Sequence, residues 1–140
     1  MAIKVNRRMM SAIFLVGISC GLIVTAQASA VQELLAEYGK EGAGKYNAVN
    51  GENLWKRVQV DAKTGQKRSC VTCHTNDLRK PGKHARTGKL IKPMAPSVNA
   101  DRLTDKKKIE KWFHRNCKWT LGRICTPQEK ADILAYLANQ

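Results

Sequence analysis

The sequence predicts an all-α domain. Apolar residues recur at helical spacing in four separate stretches, and strong helix-start residues precede the last two. No stretch alternates apolar and polar residues for long enough to build a sheet of any size.

The first thirty residues stand apart from that domain. Lys4, Arg7 and Arg8 precede an apolar run from Met9 to Val24, and Ala28-Ser29-Ala30 supplies small residues. This is the pattern of a cleaved secretory signal. A retained anchor needs about 20 apolar residues, and the run barely reaches that. Cys20 is poorly placed for lipid attachment, because Gly17 stands where a large aliphatic residue is expected. Cleavage near Ala30 leaves a mature domain of residues 31–140 and implies a periplasmic location.

Val31 to Tyr38 predicts a short helix with Leu34, Leu35 and Tyr38 on one side, and Gly39, Gly42 and Gly44 then break regularity. Ala48 to Val58 predicts a second helix, burying Leu54, Trp55 and Val58. Asp61 to Arg68 reads as a charged loop. Lys80 to Pro96 reads as another, since Pro81, Gly82, Gly88, Pro93 and Pro96 exclude a continuous helix. Thr104 caps a third helix running to about Asn116, with Asp105 in its first turn. Ile109, Trp112, Phe113 and Asn116 share one face of it. The last helix has Thr126 at its cap, Pro127 at its first position and Glu129 completing a capping box. Ala131, Leu134, Tyr136 and Leu137 follow as its apolar residues, and no internal repeat is evident.

Cys70-Val71-Thr72-Cys73-His74 carries the chemistry. Cys-x-x-Cys-His is the attachment signature of a c-type haem. Two thiols reach the two vinyl groups of one porphyrin, and the next residue offers an imidazole to the iron. His74 is then one axial ligand. A zinc site would need a second ligand pair at knuckle spacing, and Cys117 and Cys125 are too far apart for one. A thioredoxin-like dithiol would follow a strand, whereas Asp61 to Ser69 is charged and contains glycine.

Removing Cys20 with the signal leaves four cysteines. With Cys70 and Cys73 on haem, Cys117 and Cys125 are the natural disulfide pair in an oxidising compartment. The short loop they close contributes about 2–3 kcal/mol. Losing Lys4, Arg7 and Arg8 leaves 22 basic against 11 acidic residues, a charge of +11, which two haem propionates reduce to about +9. Such a surface suits an acidic redox protein or an anionic membrane, or is simply well solvated. Nucleic acid is not an expected periplasmic partner, and the mature chain is not expected to span a membrane.

The second axial ligand decides the function. The segment from Cys117 to Cys125, ahead of the last helix, has no methionine. Met94 is the one methionine after the haem motif, in Lys92-Pro93-Met94-Ala95-Pro96. His84 lies in a basic, glycine-containing loop. His114 lies about 200° around its helix from Asn116. Asn116 itself sits beside Trp112 and Phe113 on the apolar face, immediately before Cys117. From the residues alone all four stay open.

The order of helices around the haem motif resembles the class I cytochrome c fold. Trp112-Phe113-His114-Arg115-Asn116-Cys117, followed by Gly122-Arg123-Ile124-Cys125-Thr126-Pro127, resembles more narrowly the oxygen-binding c cytochromes of the sphaeroides haem protein family. That resemblance implies that Asn116 is the distal iron ligand and that Cys117 and Cys125 are bridged. It implies a His74/Asn116-ligated, redox-active monohaem protein, with Trp112 and Phe113 beside the haem, that binds O2, NO or CO when reduced. In similar proteins the electron donor is a dihaem cytochrome c linked to a membrane cytochrome b. The alternatives are a simple electron carrier with Met94 as ligand, or an oxygen reductase, peroxidase or nitric oxide dioxygenase. No paired catalytic acid and base is evident that would favour an enzyme.

Overall fold

The computed structural model describes residues 26–140. The expected signal lies almost wholly outside the described residues. The first helix, α1 (Ala26–Lys40), is continuous across the expected cleavage point at Ala30. Leu34 and Tyr38 are fully buried on its inner face, as their spacing predicts.

Helix α2 (Ala48–Lys56) is capped by Asn47, whose side chain accepts from the amides of Val49 and Asn50. It ends before Val58, which lies outside it and is exposed, contrary to expectation. Its apolar face reduces to Leu54 and Trp55. The C-terminal helix α5 (Pro127–Ala138) shows the expected capping box of Thr126 and Glu129. Every residue from Ala131 to Leu137 is buried, because α5 packs against both α1 and α2.

Gly51 makes the α2–α5 approach possible. A Cβ there would lie 2.0 Å from the Asp132 carbonyl oxygen, so the two backbones touch. Beside this contact the Asp132 carboxylate accepts from the Asn47 amide (2.7 Å) and from Gln128 Nε2 (2.8 Å). The buried acid therefore ties the start of α2 to α5 and is itself satisfied.

The expected loops contain two small hairpins. Strands β1 (Gln59–Val60) and β2 (Lys67–Arg68) pair antiparallel, as do β3 (Gly82–Lys83) and β4 (Leu90–Ile91). Both turns are built on one sequence pattern: Ala62-Lys63-Thr64-Gly65 in the first and Ala85-Arg86-Thr87-Gly88 in the second. Each glycine has φ of 67°, a left-handed conformation that glycine adopts without strain. Asp61 Oδ1 accepts from the Thr64 amide (2.9 Å) and hydroxyl (2.8 Å). His84 Nδ1 meets the Thr87 amide (3.1 Å) and hydroxyl (2.9 Å) in the same way. The local repeat is real, and the charged-loop reading missed it.

Between the hairpins lies α3 (Val71–His74), a single turn. Helix α4 (Lys106–Leu121) follows the second hairpin and the loop after it. Its N-cap is Asp105, which accepts from the Lys108 amide, and not Thr104, whose hydroxyl donates to the Asp101 carbonyl. It does not stop at Asn116. Cys117-Lys118-Trp119-Thr120-Leu121 contains no helix breaker, and the buried stripe Ile109, Phe113, Cys117 and Thr120 runs on to the left-handed exit at Gly122. Tyr38, Glu110 and Lys130 join α1, α4 and α5: the Tyr38 hydroxyl donates to Glu110, and Lys130 Nζ lies 2.8 Å from the same carboxylate. Among the described residues no helix is long and apolar enough to cross a membrane.

Gly51→Ala should push α2 and α5 apart and destabilise the domain by about 1–3 kcal/mol, outweighing the roughly 1 kcal/mol helix-propensity gain. Gly39→Ala is the control, because a Cβ there meets nothing within 4 Å. Thermal unfolding should show a lowered Tm for the first variant and an unchanged or raised one for the second.

Candidate haem-binding cavity

The cysteine–histidine motif is folded by its neighbours. The Cys70 amide donates to the Trp55 carbonyl at the end of α2 (3.2 Å), and the Cys73 and His74 amides return to the Cys70 carbonyl (3.2 and 3.1 Å). Ser69 N donates to Thr72 Oγ1 (3.0 Å), which tightens the start of the turn. Directly after His74 the chain adopts φ 63° and ψ 172° at Thr75. A β-branched residue rarely sits there, and such strain collects at functional positions. Gly82 of β3 presses against this turn, since a Cβ on it would lie 2.1 Å from the Cys73 carbonyl oxygen.

Cys70, Cys73 and His74 line one wall of a cavity of about 1410 Å³. Ordinary small-molecule pockets occupy roughly 300–1,000 Å³. The His74 ring lies 5.3 Å from the Trp55 ring. Burial, reinforced by the Arg102 charge, pulls its pKa down to about 4. The imidazole is therefore neutral at ordinary pH, the form that coordinates a metal. Burial pushes the Cys70 thiol up to about 11. The two motif thiols are not joined to each other. Among the described residues no group of three or more His, Cys, Asp or Glu is gathered to hold a bare metal ion.

Helix α4 supplies another part of the lining. Trp112, Asn116 and Trp119 recur at i, i+4 and i+7 beside the buried stripe, and all three line the cavity. Phe113 lines it too, from within the core. Asn116 lies inside the helix and not at its end. Immediately after it, the Cys117 and Cys125 sulfurs are at bonding distance, with Cα atoms 5.5 Å apart. Trp112 is half exposed, with the Arg115 guanidinium 5.3 Å above its ring.

The other candidate ligands also border the cavity. Met94 is partly buried, its amide donating to the Leu78 carbonyl (2.9 Å). His114 is exposed at the rim, although its helical position alone points it away from Asn116. His84 has a structural role. Its Nδ1 accepts from the Thr87 amide, so the neutral ring carries its proton on Nε2 and offers no free lone pair to a metal.

A comparison of the chain with known proteins decides its family. Residues 41–137 match the family described as "Domain of unknown function (DUF1924)". The chain is 44% identical over 108 residues to "Cytochrome c-type protein SHP" of Cereibacter sphaeroides, covering 77% of this chain and 82% of that one. The solved structure of oxidized SHP, described as an oxygen binding cytochrome c, superposes with a TM-score of 0.72 at 44% identity, over 79% of this chain and 96% of that one. The chain belongs to the SHP family of c-type cytochromes. Cytochrome c'' of Methylophilus methylotrophus is 44% identical over 77 residues, 55% of this chain and 54% of that one. Its solution structure, reported with insights into haem-ligand detachment, gives a TM-score of 0.67 at 32% identity, over 80% of this chain and 94% of that one.

As a member of the SHP family, the protein is a monohaem c-type cytochrome of class I-like fold, carrying covalently bound haem c. The cavity suits that group. Leu54, Ile109, Phe113, Leu134 and Leu137 supply apolar lining. The buried side-chain nitrogens without a partner among the described residues are Trp55 Nε1, Arg68 Nε and His74 Nδ1, and all belong to lining residues. Polar gaps thus collect where a large prosthetic group with its own acceptors would lie.

Sequence reasoning missed three lining residues. Trp55 reads only as helix core, yet its ring lies tilted against that of His74. Arg68 reads as part of a charged loop, yet it reaches the Trp119 carbonyl (3.1 Å) and ring (5.0 Å) and pairs with Asp61 (2.6 Å). The paired turn signal at Thr64-Gly65 would have shown that Arg68 folds back. Arg102 has no sequence signal, because only the folded loop brings it to the cavity.

The segment after α4 is fixed at its far end. Arg123 pairs bidentately with Glu129 (2.7 and 2.6 Å) and donates to the Ile124 carbonyl (3.0 Å). Arg123, helped by the Thr126 amide, holds the Glu129 carboxyl below its ordinary range. A depressed carboxyl stabilises the fold above its unfolded pKa, about 4.3, and that contribution fades as pH falls through the folded value. Glu129→Gln should therefore cost about 1 kcal/mol at pH 7 and progressively less as pH is lowered into the acid range, read from urea unfolding across that range.

Proposed function

We propose that this is a periplasmic c cytochrome that accepts an electron and then binds O2, NO or CO at its iron. In this reading Cys70 and Cys73 attach the haem, His74 is the permanent axial ligand and Asn116 is a releasable one. The observation that carries it is that Asn116 lines the same cavity as the motif, next to the Cys117–Cys125 pair. The haem supplies a redox-active iron that takes a diatomic gas when a coordination position is open.

The residues suit these roles. An amide oxygen is a hard, weak ligand that holds ferric iron better than ferrous iron. Residues 112–117 run through one continuous helix, so Asn116 moves only with α4 or by rotating its own side chain. A bridge between Cys117 and Cys125 ties α4 to the start of α5 and keeps any release small. Phe113 and Trp112 flank the site. The relative SHP is described as oxygen binding, and cytochrome c'' as detaching a haem ligand; both properties fit a releasable Asn116. Export of residues 31–140 by the leading segment provides the oxidising compartment that the bridge needs.

The charge distribution supports an acidic donor. Lys107, Lys108, Lys111, Arg115 and Lys118 are exposed along α4. Glu110, the acid within α4, is engaged by Tyr38 and Lys130. A dihaem cytochrome c or a membrane cytochrome b with an acidic surface would dock to such a face.

A second reading keeps Met94 as ligand, because it also lines the cavity. Carbon monoxide separates the two. The reduced protein should be high-spin and bind CO rapidly and completely. A low-spin reduced spectrum that ignores CO until Met94→Ala is introduced would establish the electron carrier instead. Asn116→Ala should open the ferric site and tighten azide binding at least about tenfold, roughly 1.4 kcal/mol, in a visible titration. An unchanged ferric spectrum and azide affinity would remove Asn116 from the iron.

A further inference from the structure

Arg102 is a cavity-lining cation without a counter-ion. It is partly buried, and burial alone depresses its pKa. Its Nε donates to the Pro93 carbonyl (2.7 Å) and one Nη to the Lys92 carbonyl (2.5 Å). Asn99 Nδ2 donates to the same Pro93 carbonyl (2.9 Å). Among the described residues no carboxylate lies within ion-pair distance of the guanidinium, and Nη1 has no acceptor. Arg68, the comparable cation on the lining, already has Asp61 at 2.6 Å.

The backbone singles out the same place. Thr75 and Leu103 are the described non-glycine residues with positive φ, 63° and 60°. One directly follows His74 and the other directly follows Arg102. Leu103 is buried, so its conformation is fixed by packing and in turn fixes the direction of its neighbour. A desolvated guanidinium, held rigidly by carbonyls with a free fork, is a site for a carboxylate.

We propose that Arg102 binds a haem propionate and holds a positive charge close to the iron, raising the reduction potential. The carboxylate that completes the ion pair comes from the cofactor and not from the chain. The loop Lys92–Pro93, clamped by Arg102 and Asn99, is the frame that aims the fork. This inference rests on haem occupying the cavity described above. Haem content of each sample, measured as the pyridine haemochrome, separates loss of the cofactor from loss of the contact.

Arg102→Gln removes the charge, and Arg102→Lys keeps it without the fork. The glutamine variant should lower the midpoint potential by about 59 mV, a tenfold change in the oxidised-to-reduced ratio at fixed potential. The lysine variant should shift it less. The propionate bending band in the resonance Raman spectrum should move in both. Arg57→Gln removes an exposed positive charge that lies off the cavity lining and should leave the potential near that of the parent protein. A haem-loaded glutamine variant of Arg102 with parental potential and Raman band overturns the proposal. So does an Arg57→Gln shift as large as that of Arg102→Gln. If Arg102→Gln does not accumulate, an unmoved Raman band in Arg102→Lys overturns it equally.

Discussion

Helices α2 and α5 touch backbone to backbone at Gly51, and the placement of the haem motif descends from that contact. The approach buries Leu54 and Trp55 against α5, where Trp55 packs 6.2 Å from the Tyr136 ring. Trp55 then serves the next segment twice. Its carbonyl receives the Cys70 amide, and its ring lies beside His74. The single turn α3 is too short to be stable alone. It forms because α2 holds its first residue, Gly82 presses on its last turn, and Thr75 bends the chain away. One helix crossing thus orients Cys70, Cys73 and His74 together.

The part of the lining on α4 is held differently. Helix α4 is strongly tied at its flanks: Glu110 to Tyr38 and Lys130, Lys106 to Glu33 and Glu37, Trp119 to Arg68, and Cys117 to Cys125. Few of these ties touch the stripe of Trp112 and Asn116 that faces the cavity. The helix is restrained mainly along its flanks, away from Asn116. That division suits the ligand role proposed for Asn116, which would let go of iron without unfolding the element that carries it. A loop carrying the ligand would have to move its backbone, whereas a helix needs only a rotamer change or a small shift.

The parts of this structure legible in the sequence are those that depend on near neighbours. The capping box of Thr126 and Glu129 and the buried face of α1 are local, and both form as expected. The errors arose where a side chain had a competing partner. Thr104 looked like a cap, but its hydroxyl is taken by Asp101, so Asp105 caps instead. Asn116 looked like a helix end because a cysteine follows it, but the buried stripe continues through Cys117 to Thr120. The candidate site was half legible. Its proposed attachment residues are contiguous, whereas Trp55, Arg68 and Arg102 reach it from three separate segments through tertiary contacts that no spacing encodes.

The two hairpins show how this domain uses one local device for different ends. Each turn needs an acceptor at its first position to hold the threonine amide and hydroxyl. Asp61 supplies a carboxylate and His84 a ring nitrogen. In the first hairpin that choice leaves the second Asp61 oxygen to pair with Arg68, so the charge on the cavity wall is neutralised by the chain. In the second hairpin the acceptor is a ring nitrogen, and no ion pair accompanies it among the described residues. Arg102 likewise faces the cavity without a carboxylate of its own. Of these two lining cations the chain neutralises Arg68 and leaves Arg102, whose charge is felt by His74, without a carboxylate among the described residues. In the proposed reading, that unmatched charge is the one a haem propionate would meet.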